Sequence, residues 1–88
     1  MKGNVMAEYH IENNLLEKDN SFLELDLPQY LQNSIKQLTE GRRKVDSGEK
    51  YYQLDMDWDE LNADIGTARY YDEITENQAV YLRQKYLL

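Results

Sequence analysis

The sequence predicts a mainly α-helical fold: a compact three-helix domain preceded by either a small β-hairpin or a mobile arm. Three observations support this prediction. Apolar residues recur at helical spacing in residues 28–47. Two further segments, residues 58–70 and residues 76–87, each follow the residue pattern of a helix N-terminal cap. With 88 residues and no cysteine, the chain is expected to form one small domain without disulfides.

Residues 1–26 allow two interpretations. Apolar and polar residues alternate in residues 5–11 and again in residues 22–27, with a polar, turn-prone stretch between them, and this pattern predicts a short β-hairpin. An isolated two-stranded hairpin is only marginally stable in water, so the alternative is a mobile arm.

The first predicted helix covers residues 28–47. Pro28 suits the first helical position because it has no N–H to lose, and Gly48 suits the left-handed position just beyond the end. Gly41 is a second point at which this helix could end. The apolar residues share a narrow arc of the helical wheel and are expected to face the core. They are Leu27, Leu31, Ile35, Leu38 and Val45.

The second predicted helix begins after Asp57, which is expected to be its N-cap, with Glu60 completing a capping box. Gly66 in its interior is unfavourable by about 1 kcal/mol relative to alanine. We therefore expect either a short helix or another backbone packed closely at that glycine. The predicted core face consists of Trp58, Leu61, Ile65 and Ala68.

The third predicted helix begins after Thr75, with Gln78 as the reciprocal partner in a second capping box. Ala79, Leu82 and Tyr86 share its core face. Val80 and Leu87 fall on the opposite side and predict a second apolar stripe. That stripe needs a cover, which the N-terminal arm, a second copy of the chain or another protein could supply.

The charge of the chain is concentrated in residues 55–76, which hold eight carboxylates and one arginine. This stretch has a formal charge of −7, equal to that of the whole chain. Such a field repels phosphates, which argues against direct nucleic-acid binding and favours a basic protein surface as the partner. Because the sequence contains no long apolar run, we expect no membrane contact and a cytoplasmic location.

The sequence offers little catalytic or metal-binding chemistry. His10 is the only histidine, and neither a cysteine nor a recognisable serine elbow lies near it, so we expect a protein that is not an enzyme and needs no cofactor. The alternating aspartates of residues 55–59 imitate the start of a calcium loop. Glu60 and Gly66 then occupy the positions that require a glycine and a bidentate glutamate, so no metal site is expected.

Two features flank the acidic stretch. Arg42, Arg43 and Lys44 form a basic cluster, which is expected to be a solvated helix end. Tyrosine pairs stand at residues 51–52 and 70–71, and tyrosine beside carboxylate is an arrangement that binds arginine-rich surfaces.

The C-terminal half resembles a known group of proteins in three segments: YQLD at residues 52–55, WDELNADI at residues 58–65 and EITENQAVYLRQKYL at residues 73–87. These segments are similar to small uncharacterised proteins of Gram-positive bacterial mobile elements. The resemblance implies a plasmid, phage or conjugative-transposon setting, and it supplies no catalytic motif.

Together these features predict a small acidic protein-binding module, an inhibitor that occupies a basic nucleic-acid-binding surface of a host or defence protein. The alternatives are an accessory or structural subunit that self-associates, for example as a homodimer, and an antitoxin-like partner. The predicted partner-binding residues combine the acidic and aromatic positions with the second stripe of the third helix. They are Asp55, Asp59, Glu60, Asp64, Tyr70, Tyr71, Asp72, Glu73, Val80 and Leu87.

Overall fold

The structure is a computed structural model that describes residues 20–88. A short 3-10 helix, Ser21–Glu24, precedes three α-helices. These are α1 (Gln29–Asp46), α2 (Leu54–Tyr70) and α3 (Glu76–Tyr86). Residues 20–88 contain no β-strand, so the mainly α, three-helix fold is confirmed.

Helix α2 lies between the other two helices and runs antiparallel to both. Along α1, successive side chains contact progressively earlier positions of α2: Ser34 bonds to Asp64, and Gln37 bonds to Asp57. Against α3, Trp58 near the start of α2 bonds to Leu87, and Arg69 near the end of α2 bonds to Glu76. The order is therefore up, down, up, with short connections between neighbouring helices.

The core lies along the two sides of α2 that face α1 and α3. The large side chains with no solvent exposure are Leu31, Leu38, Leu61, Ile65 and Leu82, and all five were expected to face the core. Val45 was also expected there, but its side chain is 42% exposed. Helix α2 begins level with Gly41, one turn before Val45, so no facing helix covers Val45.

The ends of α1 follow the sequence signals closely. Pro28 directly precedes the first helical residue, and its carbonyl accepts the first hydrogen bonds of the helix. Gly41 does not end the helix. Gly48 has φ of 87°, and the bonds from its N–H to Val45 O and from Glu49 N–H to Lys44 O form the two closures of a Schellman motif.

Helix α2 begins at Leu54, four residues earlier than predicted, and Gln53 occupies its N-cap position without a side-chain hydrogen bond. The expectation at Gly66 was also wrong. This residue is exposed in the interior of a 17-residue helix, and the nearest atom to an added Cβ would be Arg83 Nη2 at 4.0 Å.

Helix α3 has the predicted capping box. The Gln78 N–H donates to Thr75 Oγ1 at 3.1 Å, and the Thr75 N–H donates to Gln78 Oε1 at 2.8 Å. This start is specified locally, within four consecutive residues.

The segment before α1 packs on α3. Leu23 and Leu27 are buried, and Gln78 Nε2 donates to the Leu23 carbonyl at 3.1 Å. Residues 5–11 of the predicted hairpin lie outside the described residues, so the hairpin stays a prediction. Its expected second strand includes residues that form the 3-10 helix.

In residues 20–88, none of the helices is both long enough and apolar enough to span a bilayer.

Candidate functional site

The eight carboxylates of residues 55–76 fall into three groups that differ in what they contact. Asp57 and Asp64 are bonded to α1 or to the loop that follows it. Asp72, Glu73 and Glu76 lie at the corner between α2 and α3 and are bonded to nearby side chains. Asp55, Asp59 and Glu60 point outward from the first half of α2, and we call these three residues the outer acidic face.

Asp57 is a buried acceptor between two helices. Its carboxylate is 2% exposed, and it accepts hydrogen bonds from Gln37 Nε2 at 2.8 Å and from the Tyr51 hydroxyl. The predicted role as N-cap is therefore wrong, because the side chain points toward α1 rather than back to its own helix terminus. The hydrogen bond to Asp57 also raises the pKa of Tyr51, so the phenol remains a donor.

Gly41 makes room for this bonded pair. A Cβ at that position would lie 2.7 Å from Tyr51 Cε2 and 3.0 Å from the Asp57 carboxylate. Because real Cβ atoms essentially never lie within 3.0 Å of another heavy atom, an alanine at this position would force the Tyr51 ring to move. The glycine that looked like a helix end is instead a packing position.

Asp64 is also held by α1. The hydroxyl of Ser34, which is 3% exposed, donates to its carboxylate. Asp64 was expected to contact a partner, but it is half-buried, and one oxygen is occupied by Ser34. This carboxylate therefore contributes to the α1–α2 interface.

The donors on α1 form one stripe. Tyr30, Ser34 and Gln37 each bond to a carboxylate, and Gly41 continues the same spacing of about one helical turn. The acceptors are Glu73, Asp64 and Asp57. Because their donors on α1 are uncharged, these hydrogen bonds leave the negative charge of the three carboxylates in place. The acidic stretch keeps most of its negative charge after folding.

The outer acidic face differs from the other groups because its carboxylates have no hydrogen bond or ion pair with any part of the chain between residues 20 and 88. Asp55 and Asp59 are one turn apart on the same side of α2, and Glu60 adjoins them. Carboxylates four residues apart repel each other by about 0.2–0.5 kcal/mol. Asp55 is favoured by its place in the first turn, but helix stability does not explain the set as a whole.

The corner between α2 and α3 combines acidic and aromatic side chains. Arg69 bonds to Asp72 at 3.3 Å and to Glu76 at 2.9 Å. The rings of Tyr70 and Tyr71 meet edge to face, with centroids 5.0 Å apart. The Tyr30 hydroxyl on α1 donates to the Glu73 carboxylate at the same corner.

The basic cluster on α1 is partly neutralised. Arg43 pairs with Glu40 at 2.8 Å and lies 3.7 Å from Glu49. The Lys44 ammonium lies over the Tyr51 ring, 5.1 Å from its centroid. These contacts match the expected solvated helix end and leave the negative charge of α2 dominant.

The predicted second stripe of α3 is not an open surface. Leu87 is 9% exposed and belongs to the core. It lies one turn after Arg83, which bonds to Asn62, so it is on the side of α3 that contacts α2. Its carbonyl accepts a hydrogen bond from Trp58 Nε1 at 3.2 Å. Val80 is half-buried. Leu87 is therefore withdrawn from the expected partner-binding residues.

Glu24 connects the 3-10 helix to α3 through hydrogen bonds. Its carboxylate accepts hydrogen bonds from the hydroxyls of Tyr81 at 3.0 Å and Tyr86 at 2.9 Å, and from the Lys85 ammonium. Burial alone would raise the pKa of Glu24, but the hydrogen bonds from Lys85, Tyr86 and Tyr81 outweigh burial and lower it. The sequence contained no local signal for this contact, which joins residues about 60 positions apart.

Residues 20–88 contain no group of three histidine, cysteine or acidic side chains arranged to hold a metal ion. His10 lies outside the described residues. Comparison of the chain with protein-family models, with curated proteins and with solved structures finds no match. The resemblance to mobile-element proteins stays a prediction.

Proposed function

We propose that this chain is a small acidic protein-binding module whose outer acidic face docks on a basic protein surface. One observation supports this most directly: Asp55, Asp59 and Glu60 are exposed and have no partner between residues 20 and 88, whereas the carboxylates around them are bonded. Three adjacent like charges without a structural role are explained if they contact cations on another protein.

The geometry of this face suits a surface that normally binds nucleic acid. Its three carboxylates lie within a rise of about 7.5 Å along α2. The number of negative charges per ångström of helix axis is of the same order as in a nucleic-acid strand, which carries one charge per roughly 3.4 Å. We therefore propose inhibition by occupation: the carboxylates take the positions of phosphates on a host or defence protein in the cytoplasm of a bacterium that carries the mobile element.

Binding rather than catalysis is part of this proposal. The carboxylates of the outer face are solvated, and those toward α1 accept hydrogen bonds from uncharged donors. Neither arrangement holds a general acid beside a nucleophile. Self-association through α3 is not part of this proposal, because Leu87, one of the two residues of the expected interface, lies in the core.

The test compares two triple variants of equal charge change. The outer variant carries Asp55→Asn, Asp59→Asn and Glu60→Gln. The control variant carries Asp26→Asn, Asp46→Asn and Glu49→Gln, which neutralise three exposed carboxylates elsewhere. Each immobilised protein is exposed to lysate of the native host, washed at low salt, and then eluted with duplex DNA.

We expect the wild type and the control variant to release the same nucleic-acid-binding protein when duplex DNA is added. The outer variant should retain much less of it. Equal retention by both triple variants would overturn the assignment of the face, and retention that neither DNA nor salt reduces would overturn the phosphate-like mode of binding.

A further inference from the structure

The corner between α2 and α3 exposes two large aromatic rings that the core does not use. Tyr70 is 80% exposed and Tyr71 is 67% exposed. Burial of aromatic surface normally contributes to stability, and these rings contribute little of it. Their exposure therefore calls for another explanation.

The two rings form an aromatic platform. They meet edge to face at an interplanar angle of 88°, with centroids 5.0 Å apart. This contact holds the rings against each other but uses one face of one ring only. The remaining faces are open to a flat partner group.

The platform lies in a negative environment. Asp72 and Glu73 follow it directly in the chain, and the side chain of Asp72 is 89% exposed. Glu73 accepts a hydrogen bond from the Tyr30 hydroxyl, and this bond is the main reason that the pKa of Tyr30 rises to about 12. Tyr30 therefore remains a neutral donor, and the carboxylates set the charge of the corner.

The corner already holds one guanidinium group. Arg69 bonds to Asp72 on one side and to Glu76 on the other. Among residues 20–88, Glu73 has a single donor, the uncharged hydroxyl of Tyr30. The charge at this corner is consequently not balanced, and a second guanidinium would find both an acceptor and a ring face.

We propose that a corner patch formed by Tyr70, Tyr71, Asp72 and Glu73 binds an arginine side chain of the partner. This inference rests on the proposed function and deepens it, because it names arginine as the group that the partner presents beside its basic surface. The guanidinium stacks on a tyrosine ring and donates to a corner carboxylate.

Arginine fits this patch better than lysine for two physical reasons. The guanidinium is planar, so it stacks on an aromatic ring while its edge donates to a carboxylate. It is also less strongly hydrated than an ammonium group, so contact with the ring costs less desolvation. A nucleic-acid base would also stack on the rings, but the adjacent carboxylates repel its phosphates.

The experiment measures binding of an arginine homopeptide and of a lysine homopeptide of equal length by calorimetry at low ionic strength. Four proteins are compared: the wild type, a Tyr70→Ala/Tyr71→Ala variant, a Tyr70→Phe/Tyr71→Phe variant and a Tyr52→Ala control. Tyr52 is 84% exposed and makes no ring–ring contact with other residues between 20 and 88. Circular dichroism verifies that each variant keeps its helix content.

We expect the wild type to bind the arginine peptide at least about three- to fivefold more tightly than the lysine peptide, as a cation–π contact at an exposed site provides. The phenylalanine variant and the Tyr52→Ala control should keep this ratio. The alanine variant should bind both peptides with nearly the same affinity.

The outcomes separate the two proposals. If the wild type binds both peptides equally, or if the alanine variant keeps the arginine preference, the corner patch is wrong while the proposed function stands. If the wild type binds neither peptide, the proposed acidic binding function fails as well.

Discussion

Two glycine-to-alanine substitutions should change the stability of this protein in opposite directions. Gly41 and Gly66 both lie inside helices, so each alanine gains about 1 kcal/mol of helix propensity. At Gly66 nothing lies closer to the added methyl group than 4.0 Å. Gly66→Ala should therefore stabilise the fold by about 0.5–1 kcal/mol.

At Gly41 packing outweighs propensity. The new methyl group would lie 2.7 Å from Tyr51 Cε2, 3.0 Å from Asp57 Oδ2 and 3.2 Å from Leu54 Cδ1. Overpacking of this kind costs about 1–3 kcal/mol. Displacing Tyr51 also deprives the buried Asp57 of a donor, at about 1–3 kcal/mol. After subtraction of the gain in helix propensity, we expect Gly41→Ala to destabilise the fold by about 1–5 kcal/mol in total.

Urea denaturation monitored by circular dichroism measures both changes, and thermal unfolding should shift by about 4–8 °C per kcal/mol in a domain of this size. A Tyr51→Ala background supplies the control, because it removes the nearest atom. Gly41→Ala should cost less there than in the wild type. If Gly41→Ala is as stabilising as Gly66→Ala, the close approach of α1 to the start of α2 is wrong.

Two further predictions concern carboxylates. Asp57→Ala should destabilise the protein by about 2–4 kcal/mol, because it removes the hydrogen bonds that Gln37 and Tyr51 donate to a buried carboxylate, whereas the exposed Asp59→Ala should stay within about 0.5 kcal/mol; equal urea midpoints would contradict the burial of Asp57. Glu24→Gln should show a pH-dependent loss of stability. The folded pKa of Glu24 lies below its ordinary value of 4.5, so its contribution is present above about pH 4.5 and is lost as the pH falls through the folded pKa. The stability difference between wild type and Glu24→Gln, measured by urea denaturation from about pH 7 to pH 3, should shrink on acidification. A constant difference would show that its bond to Lys85 does not depend on ionisation.

Features specified by neighbouring residues were predicted correctly. The capping box at Thr75 and the left-handed Gly48 each depend on a few consecutive residues, and both occur as expected. The same cap pattern at Asp57 gave the wrong helix start. The residues around Asp57 fit two roles equally well: an N-cap, or a buried acceptor for Tyr51 and Gln37. Only the packing of α1 on α2 shows that the second role is the one that occurs.

Helical spacing located most of the core but gave the wrong environment for two residues. Leu31 and Leu38 face α2 and are fully buried. Val45 lies beyond the start of α2 and remains exposed. Leu87 is buried because α3 packs against both α2 and the 3-10 segment and so has more than one buried side. A helical wheel contains neither the length of the facing helix nor the number of neighbours.

The sequence predicted that the candidate site is acidic. It did not predict which carboxylates bond to the rest of the fold and which remain free. The sequence located the acidic stretch and the pair Tyr70 and Tyr71. It could not separate Asp64, which is bonded to α1, from Asp59, which is not. The stripe of Tyr30, Ser34 and Gln37 beside the apolar face of α1 was the available signal. The spacing shows only that these three residues share one side of α1, next to its apolar face.

The most direct test of the central claim is an NMR titration of side-chain carboxyl carbons with the lysine homopeptide. The claim is that the outer acidic face binds cations while the carboxylates toward α1 hold the fold. We predict that the signals of Asp55, Asp59 and Glu60 move progressively with added peptide, and that the signal of Asp57 does not. Equal shifts for Asp57 and the outer face, or no shift for any of them, would contradict this division.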